Sequence, residues 1–306
     1  MKELIKSEPL NPENSLVYEI IITQKCNYSC HYCYFRFKDF SKESEEIDLN
    51  ELKNFIDITQ EKCSFSIIGG EPSTHKEYIT ILRYIQDKKP ESLIELQTNL
   101  SMSDIDLEDL RSIKNLSITA TYHQTQEKFG EFYRKAEKFK DIVKDITIIY
   151  EDKYKKDVLR NYYFLKKTLK ANVNLSFYLN SFTQPLEYRS YTKDLLAKID
   201  DSTLLNKSKI KHTYVDESSE VLTQEEAIVK NSNNYKGMLC EGPKNRIYLN
   251  SNGDIYSCFN DFFNNESKKD GNINEKNLNL PNLQRSIICK HNACFCGINY
   301  TKKKIK

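Results

Sequence analysis

Between residues 15 and 180, short apolar runs rich in β-branched side chains alternate with longer stretches in which apolar residues recur every three or four positions. The first kind predicts strands over Leu16–Thr23, Ser64–Gly69, Leu93–Thr98, Leu116–Tyr122, Ile146–Glu151 and Val173–Leu179; the second predicts helices over Leu49–Gln60, Lys76–Gln86, Leu107–Ser112, Glu127–Lys140 and Lys156–Lys170. Strand then helix, repeated, predicts an α/β fold with a parallel sheet and helices packed outside it. About six such units are too few to close an eight-unit barrel, so a partial, open parallel β/α barrel is expected, with chemistry at the loops that leave the C-terminal strand ends. After Asn180 the pattern changes. A further helix is expected near Leu186–Ile199, then a polar stretch over Asp200–Ser219, and Arg246–Cys258 (RIYLNSNGDIYSC) predicts a β-hairpin turning at Asn252–Gly253. The expected division is a barrel domain over 1–200, a linker and helix over 201–234, and a small cysteine-rich extension over 235–306.

Composition narrows the chemistry. Charged residues make up 29% of the 306 and leave a formal net charge of +2, so no strong field for nucleic acid or an anionic membrane is expected. No apolar run approaches the roughly 20 residues of a membrane span, and the N-terminus has no signal-peptide pattern; a cytoplasmic protein is expected. The Lys302–Lys306 tract reads as a solvated tail. Nine cysteines, an odd number, are a poor disulfide framework where thiols stay reduced, and point instead to metal or iron–sulfur ligation.

The sharpest feature is CNYSCHYC: Cys26, Cys30 and Cys33 in C-x3-C-x2-C spacing, directly after the first predicted strand. Thiolates suit iron–sulfur clusters, and three ligands rather than four leave one metal position open, the mark of a catalytic centre. Buried or zinc-binding cysteines are the alternative. With this loop the chain resembles the radical S-adenosylmethionine (SAM) enzymes, whose C-x3-C-x-aromatic-C loop carries the catalytic 4Fe–4S cluster; Tyr32 fills the aromatic position. The resemblance implies that SAM chelates the fourth iron and is cleaved reductively, giving a 5′-deoxyadenosyl radical that abstracts hydrogen from substrate. It also implies an electron donor such as flavodoxin or ferredoxin.

Other strand ends fit the same family. SFSIIGGEP ends the second strand in Gly69, Gly70, Glu71 and Pro72, glycines that would let the backbone approach a ligand closely; the resemblance makes this the motif that holds the SAM amino group. Thr98 and Asn99 end the third strand where the family often has T-N-G, with Leu100 in place of the glycine. Thr121 and His123 end the fourth strand and are candidate SAM contacts. Asn174, Ser176 and Tyr178 alternate with apolar residues on the sixth. His31, His75 and His291 carry no spacing of their own, and Cys63 reads as a small buried residue.

Five cysteines remain. Cys240 and Cys258 frame the hairpin as C-x12-G-x4-C, and Cys289, Cys294 and Cys296 read C-x4-C-x-C. Together they make a reasonable four-thiolate site, for zinc or iron–sulfur alike. The resemblance extends here to the SPASM and twitch extensions, which implies one auxiliary 4Fe–4S cluster. Cys240 and Cys258 are its expected ligands, with Cys294 and Cys296 preferred over Cys289 for the rest. The expected function is a radical SAM oxidoreductase or maturase acting on a peptide, with a small molecule such as a sugar or antibiotic precursor as the alternative substrate. A non-SAM electron-transfer protein or a zinc-stabilised binding module is the alternative of another class.

Overall fold

The computed structural model describes residues 3–10, 15–33, 46–177, 179–181, 187–188, 209–264, 269–292, 294 and 300–304. Strand β1 (Leu4–Pro9) precedes six parallel strands: β2 (Leu16–Thr23), β3 (Cys63–Gly69), β4 (Leu93–Thr98), β5 (Leu116–Tyr122), β6 (Val143–Tyr150) and β7 (Asn172–Phe177). Between consecutive parallel strands run helices α1 (Leu49–Ile58), α2 (Tyr78–Lys88), α3 (Asp104–Arg111), α4 (Phe129–Lys138) and α5 (Lys155–Thr168). The six strands lie side by side in sequence order and the sheet does not close, as expected of a partial barrel. No helix among the described residues is long and apolar enough to cross a membrane.

Alternation along the strands divides the sheet into two chemically distinct faces. On β5, Leu116, Ile118, Ala120 and Tyr122 are buried with Leu107, Leu110 and Phe132 of the flanking helices, and Tyr18, Ile20 and Ile22 of β2 pack with Leu52, Phe55 and Ile56 of α1. The opposite face carries Ser117, Thr119 and Thr121, all only partly buried. Local capping fixes where helices begin. Helix α3 starts at Asp104, ahead of the apolar repeat that predicted Leu107, because Ser103 and Asp106 form a reciprocal capping box there.

The C-terminal part does not stand apart from this sheet. After β8 (Leu179–Ser181) and β9 (Glu187–Tyr188) come β10 (Lys209–Tyr214), β11 (Ser219–Thr223), α6 (Gln224–Val229), β12 (Leu239–Cys240), α7 (Gly242–Asn245), β13 (Arg246–Leu249), β14 (Asp254–Tyr256), α8 (Phe259–Asn264) and β15 (Gly271–Asn272). Short strands β16 (Ile287–Ile288) and β17 (Lys302–Lys303) end the order. Strand β13 adds to the barrel sheet parallel to β2, and β14 and β15 follow it antiparallel. The expected hairpin is thus present, but its turn differs: Gly253 has φ +81° while Asn252 does not share a positive φ, and the loop closes as Gly253 N–H to Asn250 O. The single left-handed residue is the glycine, because a longer turn needs only one.

A second, antiparallel sheet runs β11–β10–β1–β17–β12–β16. Residues 209–229, inside the stretch expected to be linker and helix, therefore form a hairpin and a helix, and β1 pairs with β10 and β17 rather than with the barrel. The expected solvated tail is corrected too: Lys302 is wholly buried because β17 is clamped between β1 and β12. The helix expected over Leu186–Ile199 falls almost wholly outside the described residues, apart from the two of β9.

His212, buried on β10, lies 3.2 Å from the Tyr235 hydroxyl through Nε2, and its Nδ1 has no hydrogen-bond partner. Burial holds its pKa down to about 4, reinforced by Lys302 and Lys230 against the opposing pull of Glu220. Between that value and the unfolded histidine's, roughly 6.5, the unfolded chain binds more protons, so stability falls as pH drops through this window. We expect a loss on the order of 2–3 kcal/mol from pH 7 to pH 4.5 assignable to this residue. Urea unfolding across that range checks it: His212→Phe should flatten the slope, and an unchanged slope would rule the residue out as its source.

Candidate active site

The loop that leaves β2 carries Cys26, exposed, Cys30, buried, and Cys33, half-buried, none in a disulfide. Negative charge on Cys33 opposes ionisation of Cys26, and charge on Cys26 and Cys33 opposes that of Cys30, so the fold brings all three thiols together. Burial is the main reason Cys30 is pushed up to about 11 and Cys26 is raised. Thiols such as Cys26 and Cys30, which resist ionising in the metal-free protein, become stable thiolates beside a cationic iron group. This donor set fits a three-thiolate cluster.

The loop is held by backbone. Gly70 N–H donates to Thr23 O at 2.9 Å and Glu71 N–H to Lys25 O at 2.7 Å. A Cβ on Gly70 would lie 2.2 Å from the Lys25 carbonyl oxygen, and one on Gly69 would lie 2.7 Å from that of Thr23. The two glycines therefore serve contact between the strand end and the cysteine loop. This contact is a second reason for glycine at both positions, besides the close approach of a ligand expected from the sequence. Pro72, buried, opens a short 3-10 turn over Pro72–Thr74 capped by Glu71.

Glu71 lies at the centre of the next layer. Its Oε1 accepts from Ser73 N–H (3.1 Å), Ser73 Oγ (2.7 Å) and Thr98 Oγ1 (2.7 Å), and its Oε2 accepts from Asn99 N–H (2.7 Å). Burial raises its pKa despite those four donors. Asn99 in turn donates through Nδ2 to Asn27 Oδ1 at 2.9 Å, joining the third strand end to the cysteine loop. Leu100, where the family often has glycine, adopts φ +61° while fully buried. The chain keeps the left-handed bend, which costs a non-glycine residue roughly 1 kcal/mol, and fills the space behind it with an apolar side chain.

On the other side of the loop, the Tyr32 hydroxyl is 2.9 Å from His123 Nδ1, and the two rings stack at 5.9 Å between centroids. Cys30 Sγ is 3.5 Å from the same nitrogen. Burial lowers the His123 pKa to about 4, so the ring is neutral at pH 7. His31 Nε2 reaches Glu151 Oε2 at 3.4 Å at the end of β6, a contact between residues far apart in the chain that no spacing marks. His75, by contrast, is buried structure, with Nε2 3.2 Å from Ile47 O. Cys63 is likewise buried, its thiol donating to Gln60 O at 3.1 Å.

Below the loop, the face turned away from the helices is polar. Glu95 accepts from Ser66 Oγ (3.1 Å) and Thr119 Oγ1 (2.6 Å), Gln97 donates to Ser66 Oγ (3.3 Å), and Glu19 pairs with Arg246 of β13. Thr121, Asn174 and Ser176 share this face; Tyr178 lies outside the described residues. Sequence reading missed Glu19 and Glu95, yet each left a signal: an acid inside an otherwise apolar strand, LVYEIIIT and LIELQT.

At the far end of the chain, Cys240, Cys289 and Cys294 are buried together with Tyr235, Met238 and Tyr300. Charge on Cys294 opposes ionisation of Cys240, Cys258 and Cys289 alike, so Cys294 lies within electrostatic reach of the other three. Cys289, the less favoured of the last three, is thus within the group; Cys296 lies outside the described residues. His291 Nε2 is 2.7 Å from Asp261 Oδ1, and these two reach within 4.8 Å of the Cys258 sulfur. The donor chemistry suits zinc or an iron–sulfur group.

A family model described as the radical SAM superfamily matches residues 20–169. An S-adenosylmethionine-dependent nucleotide dehydratase of Selenomonas ruminantium is 33% identical over 70 residues, which are 22% of this chain and about a quarter (24%) of that protein. The solved structure of native anSMEcpe with bound AdoMet and Cp18Cys peptide matches with a TM-score of 0.55 at 19% identity, over 88% of this chain and 79% of that one. Streptococcus suis SuiB bound to precursor peptide SuiA matches with a TM-score of 0.55 at 15% identity, over 89% of this chain and 65% of that one. Both share this fold.

Two substitutions test the scaffold. Gly70→Ala should cost about 1–3 kcal/mol through backbone overlap and lower iron bound per chain, whereas Gly130→Ala in α4, with nothing within 4 Å, should leave both unchanged or raise stability slightly. Glu71→Gln places an amide group against N–H and O–H donors and should cost about 1–3 kcal/mol. Denaturation midpoints and equilibrium SAM binding check it; a variant with full stability and affinity would show that the network does not position the loop.

Proposed function

We propose, for a chain that belongs to the radical SAM superfamily through residues 20–169, that it is an enzyme abstracting hydrogen from a peptide substrate, with an auxiliary metal–thiolate centre in its C-terminal part. Cys26, Cys30 and Cys33 would hold the catalytic 4Fe–4S cluster. When bound, the cluster and SAM supply a 5′-deoxyadenosyl radical. The observation that carries the reading is that Cys26, Cys30 and Cys33 share one loop whose root is locked to the GGE strand end.

The chain's own residues then have defined tasks. The Gly69–Glu71 backbone and the Glu71–Thr98–Asn99 network fix the loop, while the buried Tyr32–His123 pair walls one side of it without adding charge. Asn99, Thr121 and His123 line the rim where SAM would lie. The polar face carrying Glu95, Gln97, Thr119, Asn174 and Ser176 would take the substrate. Cys240, Cys258, Cys289 and Cys294 would hold the auxiliary centre, with Cys296 a further donor. A peptide is favoured because the fold shared with two peptide-bound structures extends over nearly nine-tenths of the chain, whereas the match to the nucleotide enzyme spans 70 residues. A small polar molecule is the second reading, favoured by the carboxylates of Glu19 and Glu95 on the inner face. The net outcome proposed is a two-electron oxidation or crosslink, with the electron entering from a low-potential donor such as flavodoxin or ferredoxin.

Anaerobically reconstituted protein given SAM and a reductant should produce 5′-deoxyadenosine, and Cys30→Ala should lower the rate by at least about a hundredfold, a loss of roughly 2.7 kcal/mol. No product from fully loaded protein, with candidate peptides and small polar molecules alike, would sink the enzymatic reading. Iron near eight per chain is expected for two cubane clusters, against about four for the first alone.

A further inference from the structure

Lys302 sits at the middle of the second sheet with no solvent exposure, the only lysine among the largest wholly buried side chains of the described residues. It faces Cys240 directly in the β12–β17 ladder. Its ammonium donates to the Tyr300 carbonyl at 3.1 Å and lies 4.7 Å from the centre of the Tyr235 ring and 5.7 Å from that of Tyr300. Tyr235 and Tyr300 are the same rings that pack against Cys240, Cys289 and Cys294.

Such a placement is expensive for an ordinary structural lysine. Carrying an ammonium out of water into an apolar cluster is strongly unfavourable unless a negative charge shares the site. Aromatic faces and one carbonyl offset part of that cost. Four thiolates around a dication, whether Zn²⁺ or a 4Fe–4S core at the 2+ level, leave two negative charges in the same dry surroundings, where attraction to a cation is much stronger than in water. One further electron on an iron–sulfur core increases that attraction.

We infer that Lys302 is the charge-balancing residue of the auxiliary metal–thiolate centre, positioned to retain the metal and to make an iron–sulfur group there easier to reduce. This rests on the auxiliary-centre reading above. It places Lys302 as a positioning residue with no contact to substrate.

The test uses full-length protein reconstituted anaerobically, with Lys302→Met, Lys302→Gln and Lys302→Arg. If the centre holds iron, potentiometric titration with dithionite followed by electron paramagnetic resonance should show Lys302→Met reduced at least tenfold less favourably, a shift of 59 mV for one electron, with Lys302→Arg restoring most of it. With either metal, a chelator should strip the centre of Lys302→Met at least about tenfold faster than wild type, since metal retention is coupled to site charge. Lys302→Gln serves if Lys302→Met does not fold. Unchanged potential and unchanged metal loss in a folded, metal-loaded variant would overturn the role of Lys302 while leaving the auxiliary centre standing. Wild-type protein that takes up only the first cluster's iron and no zinc would overturn both.

Discussion

Everything proposed for the front of this molecule depends on a backbone contact without side chains. Where β3 ends, Gly69 and Gly70 lie so close to residues 23–25 that no Cβ fits between them, and two N–H groups donate into the start of the cysteine loop. A loop carrying three thiols would otherwise sample many arrangements, and ordering it would cost entropy at every residue. The contact removes that freedom at the loop's root, using sheet geometry that the barrel core already stabilises. Glu71 extends the constraint outward to β4, and through Asn99 back to Asn27 of the loop itself. The cysteine loop is thus tied at two points to elements that do not move independently.

The two faces of the sheet divide the labour. One buries Leu, Ile and Phe against helices and supplies stability. The other carries a hydrogen-bonded group of serine, threonine and carboxylate side chains around Glu95, which keeps those polar groups paired, beside the apolar pair Ile21 and Ile68. Glu95, held by Ser66 and Thr119, and Glu19, held by Arg246, show how acids persist inside a sheet. Arg246 comes from β13, so the C-terminal part contributes directly to this inner face.

Much of the barrel was readable. Leu16–Thr23, Leu93–Thr98 and Leu116–Tyr122 are strands with the very bounds their apolar runs imply, because parallel strands packed under helices advertise themselves by β-branched content. The cysteine loop and its GGEP neighbour were legible for the same reason: their chemistry is local in sequence. The second sheet was not. Strands such as KIKHTY and LIKSEP alternate charged with apolar residues, and only distant pairing buries His212 and Ser7. A lysine run at the end of a chain likewise looks solvated until β1 and β12 are seen to flank it. For Gly69 and Gly70 the need for glycine was legible, but the contact with residues 23–25 that also requires it was not, because those atoms come from a different strand end.

The second sheet also imposes an order of assembly. Ser7 pairs with Lys302, positions separated by roughly 300 residues, and closing so long a span is slow compared with the neighbouring pairings of the barrel. During synthesis, the strands that root the cysteine loop are all complete well before β17 emerges. The second sheet is therefore the late part of this fold: its centre closes only when β17 slots between β1 and β12, after the strands that root the cysteine loop have found their neighbours.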